Sequence, residues 1–119
     1  MYSIKVEANF SSAHNLRGYR GKCEDLHGHN WKVELVIAKN KLDNLGMVAD
    51  FRLLKDKLNA ILEELDHKYL NDIPYFKKVN PTSESIARYI YDCIKRKVSS
   101  VKSVTVWESE NSSATYYGK

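Results

Sequence analysis

A chain of 119 residues, 43% hydrophobic, with 19 Lys and Arg against 15 Asp and Glu, has the length of one ordinary domain and enough apolar side chains to fill one core without disulfides. Its net charge of +4 is dispersed, Lys95-Arg96-Lys97 being the densest basic run, which reads as a solvated surface and argues against nucleic acid as a partner. Lys5 interrupts what a secretory leader would keep apolar, and no run approaches the roughly 18 apolar residues of a bilayer span, so the expectation is one domain over residues 1–119, cytoplasmic and without a membrane partner.

In chain order, Tyr2, Ile4, Val6, Ala8 and Phe10 alternate with mostly polar residues, the period of a half-buried strand. Trp31, Val33, Leu35 and Ile37 repeat that period, and a polar turn through Lys39–Asn44 ends the second strand, with a short further piece at Met47-Val48-Ala49. Asp50 is a suitable N-cap for a first helix, whose buried stripe is Phe51, Leu54, Leu58, Ile61, Leu62 and Leu65. From Asn71 to Asn80 no period persists and Pro74 removes a donor, so the stretch reads as a loop. A second helix begins near Pro81, capped by Thr82 or Asn80, and buries Ile86, Ile90, Cys93 and Ile94. Val101–Trp107 is a β-branched third strand and Ala114–Tyr117 a fourth. The resulting order β-β-α-α-β-β implies an α+β fold: an antiparallel four-stranded sheet with two helices on one face. Its bare edges invite pairing between subunits.

The histidines carry the chemistry. His27 and His29 flank Gly28, and residues two apart in an extended segment point the same way, so both imidazoles can reach one metal. His14 lies just beyond strand one and joins them if the two strands pair. Three neutral nitrogens suit zinc and leave a fourth position for water or substrate. Cys23 sits among glycines and cations that favour a thiolate, either as a fourth ligand closing a structural site or as a base or nucleophile. Cys93, on the helical stripe, reads as a core residue, and a reducing compartment makes a disulfide with Cys23 improbable. His67 follows Asp66 at the end of the first helix, where it either complements the helix dipole or shuttles a proton. Glu108 ends an apolar strand, where a carboxylate needs a partner unless it is exposed at the edge.

Five segments, Phe10-Ser11-Ser12-Ala13-His14, Cys23-x-x-x-His27-Gly28-His29, Asp66-His67, Asn80-Pro81-Thr82-Ser83-Glu84 and Trp107-Glu108, together resemble the 6-pyruvoyl-tetrahydropterin synthase family, in family order and over nearly the whole chain. The three-residue gap after Cys23 is similar to the bacterial branch that forms 6-carboxy-5,6,7,8-tetrahydropterin on the way to queuosine. The resemblance implies the tunnelling fold, with sheets of neighbouring subunits closing into barrels and a homohexamer of two trimers. It implies a lyase acting on 7,8-dihydroneopterin triphosphate, with His14, His27 and His29 as zinc ligands and Cys23 as proton acceptor. Asp66 and His67 become a proton relay and Glu108 the pterin anchor, with Glu110 as its competitor. Thr82 and Ser83 hold the pterin from a neighbouring subunit. Arg17, Arg20 and Lys22 are candidates for the triphosphate. A pyruvoyl-forming lyase, or a non-catalytic zinc module closed by Cys23, stand as alternatives.

Overall fold

The computed structural model describes residues 1–18 and 25–118. Two long strands, β1 (Tyr2–His14) and β2 (His27–Lys39), pair antiparallel without interruption from Tyr2 opposite Lys39 to His14 opposite His27. Strand β4 (Val101–Trp107) pairs with β2, the register shifting between Val36 and Ile37, and β5 (Ser113–Tyr117) pairs with β4. Both long strands run four residues further toward the histidines than their apolar periodicity indicates.

The sheet has a fifth member, correcting the four-stranded expectation: the two-residue β3 (Lys68–Tyr69) lies parallel to β1 at Ser12 and Ala13, giving the order β3-β1-β2-β4-β5. Two residues are too few to carry a period. The stretch expected to be a loop folds as a 3-10 turn, Leu70–Asp72, and a short helix α2 (Pro74–Lys78), with Pro74 in the first turn, where a missing N–H costs nothing. Met47–Ala49 is not a strand. It follows a turn in which the Asp43 carboxylate accepts from the Leu45 and Met47 amides, with Gly46 at φ +80°.

Helix α1 (Phe51–Leu62) is capped by Asp50, which accepts from Arg52 N at 2.8 Å, and α3 (Ser83–Lys95) by Thr82, which accepts from Ser85 N at 3.1 Å. Leu54, Leu58, Ile61 and Leu62 of α1 and Ile86, Ile90 and Ile94 of α3 share one core with the inward residues of the sheet, Val6, Ala8, Phe10, Trp31, Val33, Leu35, Val104 and Val106. Phe51 departs from its expected stripe and is 55% exposed. It occupies the first helical position, before the turn that faces the core. Cys93 packs at the core's edge, and burial pushes its thiol above the usual range, which favours the neutral form. The outer face is polar: Lys5, Lys32 and Glu34 form ion pairs there, and Trp107 Nε1 donates to Glu34 at 2.9 Å. No helix among the described residues is long and apolar enough to cross a membrane.

Candidate functional site

The parity of the two long strands builds the site. Phe10, Ser12 and His14 on β1 face inward opposite Trp31, His29 and His27 on β2. The three histidines therefore occupy the inner face at one end of the sheet, just past the helices. On β4 the inward residues are Val104 and Val106, and the next in that parity is Glu108. The ligand atoms of His14, His27, His29 and Glu108 all lie within 4.8 Å of one another.

Backbone carbonyls set the tautomers. His14 Nδ1 lies 2.7 Å from the carbonyl of Pro81, and His27 Nδ1 lies 2.7 Å from that of Asp25. A carbonyl only accepts, so each Nδ1 carries the proton and each Nε2 presents its lone pair. Those two Nε2 atoms face one another at 3.0 Å. Two lone pairs so placed repel unless a proton or cation lies between them. Burial, the largest influence, lowers the His14 pKa, and the neighbouring histidines lower it further, against the raising effects of Pro81 and Glu108. Burial likewise lowers that of His29. Neutral imidazoles are the form a metal needs.

His29 Nε2 is buried and 3.1 Å from Glu108 Oε1, yet the geometry is not that of a hydrogen bond and it has no other partner. The second Glu108 oxygen lies 3.3 Å from the Ser83 hydroxyl, which donates to it. Ideal tetrahedral zinc, with bonds near 2.0–2.1 Å, sets its ligand atoms about 3.3 Å apart. Three converging imidazole nitrogens fit such an ion, with the Glu108 carboxylate beside them. Trp31, fully buried, forms the floor: its ring meets His14 edge-on at 4.9 Å and His29 at 5.1 Å, and its Nε1 donates to the Ser12 carbonyl at 3.2 Å.

Asp66 and His67 form a separate unit. Asp66 Oδ1 accepts from Ser11 N at 2.8 Å and Oδ2 lies 2.9 Å from His67 Nδ1. The Ser11 N–H holds the Asp66 carboxyl below the usual range, helped by the His67 ring. An ionised Asp66 fixes the His67 proton on Nδ1 and leaves Nε2 free to exchange one. His67 takes a left-handed backbone, φ 55°, and returns its own N–H to the Ser11 carbonyl at 2.6 Å. Its side chain is 83% exposed and opens into a hollow shared with Ser11, Ala13, Gly28, His29 and Asn30. Ser11, Ala13, Gly28 and Asn30 are outward residues, whereas Ser12 and His29, which also line the hollow, are inward ones, so this pair sits at the β1 edge of the sheet beside the histidine–glutamate group.

A sequence profile of 6-pyruvoyl tetrahydropterin synthase matches residues 3–119. The chain belongs to that family. It is 37% identical to the 6-carboxy-5,6,7,8-tetrahydropterin synthase of Synechocystis, over 98% of this chain and 94% of the relative. It is 38% identical to a putative enzyme of the same name from Archaeoglobus fulgidus, over 91% and 89%. Its fold superposes on the 6-pyruvoyl tetrahydropterin synthase of Caenorhabditis elegans with a TM-score of 0.90 at 29% identity, over 99% of this chain and 96% of that one. The tunnelling fold and the enzyme class, a pterin-synthase lyase, follow from this membership.

Against the synthase roles expected of them, the residues fall as follows. Glu108, not Glu110, stands among the histidines; Glu110 lines an outer hollow with Asn30, Lys32 and Trp107. Ser83 touches Glu108 within one chain, while Thr82 caps α3. Arg17 donates through Nη2 to the Phe76 carbonyl at 2.6 Å. Cys23, Arg20 and Lys22 lie outside the described residues. The carbonyls of Pro81 and Asp25 and the floor of Trp31 escaped the sequence reading. Backbone acceptors leave no residue-type signal, and Trp31 was legible only as a core position.

Proposed function

We propose that this synthase converts 7,8-dihydroneopterin triphosphate and water to 6-carboxy-5,6,7,8-tetrahydropterin, acetaldehyde and triphosphate, in the pathway to queuosine. The observation that carries the metal dependence is the convergence of His14 and His27 Nε2, both with Nδ1 already committed to carbonyls, on the buried His29 Nε2. His14, His27 and His29 would hold zinc, which would act there as a Lewis acid on a side-chain oxygen of the substrate. The carboxy-forming product is favoured over the pyruvoyl one by the names and higher identity of the Synechocystis and Archaeoglobus relatives.

The chain's own groups then divide the work. Glu108 accepts two hydrogen bonds from the guanidine-like edge of the pterin, which compensates the cost of a partly buried carboxylate, and the Ser83 hydroxyl steadies it. Cys23 removes a proton beside the ring. His67, oriented by Asp66, delivers or accepts a proton at Nε2. The proposed assembly is a hexamer of two trimers with the sites between subunits, and residues 1–119 form one cytoplasmic catalytic domain.

Incubation of the zinc-loaded protein with 7,8-dihydroneopterin triphosphate, followed by mass spectrometry of the pterin and an acetaldehyde assay, tests this. Carboxytetrahydropterin with stoichiometric acetaldehyde is expected. A pyruvoyl product would transfer the chain to the other branch, and zinc binding without turnover would reduce it to a binding module.

A further inference from the structure

The segment that leaves β1 after His14 is held by an arrangement the proposed chemistry does not use. Asn71, 8% exposed in the 3-10 turn, accepts from Asn15 N through Oδ1 at 3.0 Å and donates through Nδ2 to the Asn15 carbonyl at 2.9 Å. Asn80, just before α3, repeats the pattern two residues on: Oδ1 accepts from Arg17 N at 3.0 Å and Nδ2 donates to the Arg17 carbonyl at 2.8 Å. Each carboxamide thus satisfies both backbone groups of one residue, as a neighbouring strand would. The same segment is tied by Arg17 to the Phe76 carbonyl and by the Tyr69 hydroxyl to Asn15 Oδ1. Gly18, at φ +78°, then turns the chain away.

These clasps adjoin the histidine cluster on both sides. Asn15 follows His14 directly, and Asn80 precedes Pro81, whose carbonyl fixes His14 Nδ1. The stretch from Leu70 to Thr82 therefore acts as a brace: one carboxamide at each end, with the short helix α2 between them. Burial alone does not require this. A loop of this exposure has its backbone groups satisfied equally well by water, and two side chains from separate elements each meeting both groups of alternate residues serve to fix a path.

The geometry points to Asn71 and Asn80 as positioning residues that hold the Asn15–Arg17 segment against the 70–82 brace, and so keep His14 aimed at the metal cluster. This rests on the metal reading above, and the test separates the two. Two variants are compared with the wild type: Asn80→Ala, at a partly exposed position that leaves the core intact, and Asn71→Ala. Zinc affinity is measured by competition with a chromogenic chelator, and amide exchange at residues 15 and 17 is followed in the metal-free protein.

Exchange at the clasped residue is expected to quicken about tenfold, from two lost hydrogen bonds of ordinary strength. Zinc affinity is expected to fall roughly ten- to hundredfold, as when an outer partner of a ligand is removed. The Asn80→Ala midpoint of thermal unfolding without metal and the exchange of Val33 and Leu35 should stay close to wild type. Unchanged exchange at 15 and 17 would overturn the clasp. Quickened exchange with unchanged zinc affinity would overturn its positioning role. A wild type that binds no zinc would instead sink the metal reading, and exchange alone would then judge the clasp.

Discussion

Trp31 offers a way to separate support of the metal cluster from support of the fold. Phe10 and Trp31 stack at 5.9 Å with their planes 8° apart, and both are essentially fully buried. Only Trp31 touches the histidines, meeting His14 at 4.9 Å and His29 at 5.1 Å. Truncating either ring to Ala removes a large buried aromatic from the same cluster, at a cost of about 3–5 kcal/mol. Trp31→Ala also strips the Ser12 carbonyl of its indole donor, adding about 1 kcal/mol. Against a total stability of roughly 6–18 kcal/mol for a chain of this length, both variants retain net stability over all but the bottom of that range, and the comparison is made at low temperature. Urea unfolding should then show comparable falls in midpoint with the slope preserved. Zinc affinity should diverge: Trp31→Ala removes the packing against two ligand rings and should lose roughly ten- to hundredfold, whereas Phe10→Ala should change it by less than about threefold. Equal losses for the two variants, or full affinity in Trp31→Ala, would refute the role of Trp31 as the floor of the site.

Acidification is expected to destabilise the metal-free protein. The pKa values of His14 and His29 are lowered in the fold, chiefly by burial, so below about pH 6.5 the unfolded chain binds protons that the fold refuses. Stability is fully present above that pH, falls as pH drops toward the depressed folded values, and levels off below them; urea titrations of His14→Gln should show a flatter profile, and an equal slope would contradict the assignment. Asp50→Ala should cost about 1 kcal/mol through loss of the α1 cap and leave zinc affinity at the wild-type value, measured by the same chelator competition.

What could be read from the sequence was whatever has a period. The alternations of β1 and β2 mark their faces, and once the strands pair, equal parity carries His14 and His27 to facing positions with His29 beside them. Glu108 stood out in the sequence only as a carboxylate at the end of an apolar strand, its role coming from the family resemblance, and the inward parity of β4 that sets it among the histidines is visible only in the structure. The histidine cluster was legible because it extends two regular strands past the point where apolar residues stop. What was not legible depends on contacts without a period. The two-residue β3 docks parallel on the edge of β1, and that docking brings Asp66 to the Ser11 amide and His67 into the hollow beside His29. Asn71 and Asn80 reach backbone 56 and 63 residues away, and in the sequence one is an unremarked Asn in a loop while the other is a candidate cap.

The histidine cluster is also a part of the core, and this joins stability to function. His14 is 1% exposed and shares its face of the sheet with Phe10 and Trp31. Burial favours its neutral ring, which suits a ligand, and with both Nδ1 atoms donating to carbonyls the two Nε2 lone pairs face one another at 3.0 Å. The fold therefore carries an unfavourable local contact that a cation removes. By linkage, zinc at about a hundred times its dissociation constant would add about 2.7 kcal/mol to stability at neutral pH. That gain should shrink on acidification, since metal and proton compete for the same nitrogens. An acid-labile metal and an acid-labile fold are two consequences of one buried imidazole.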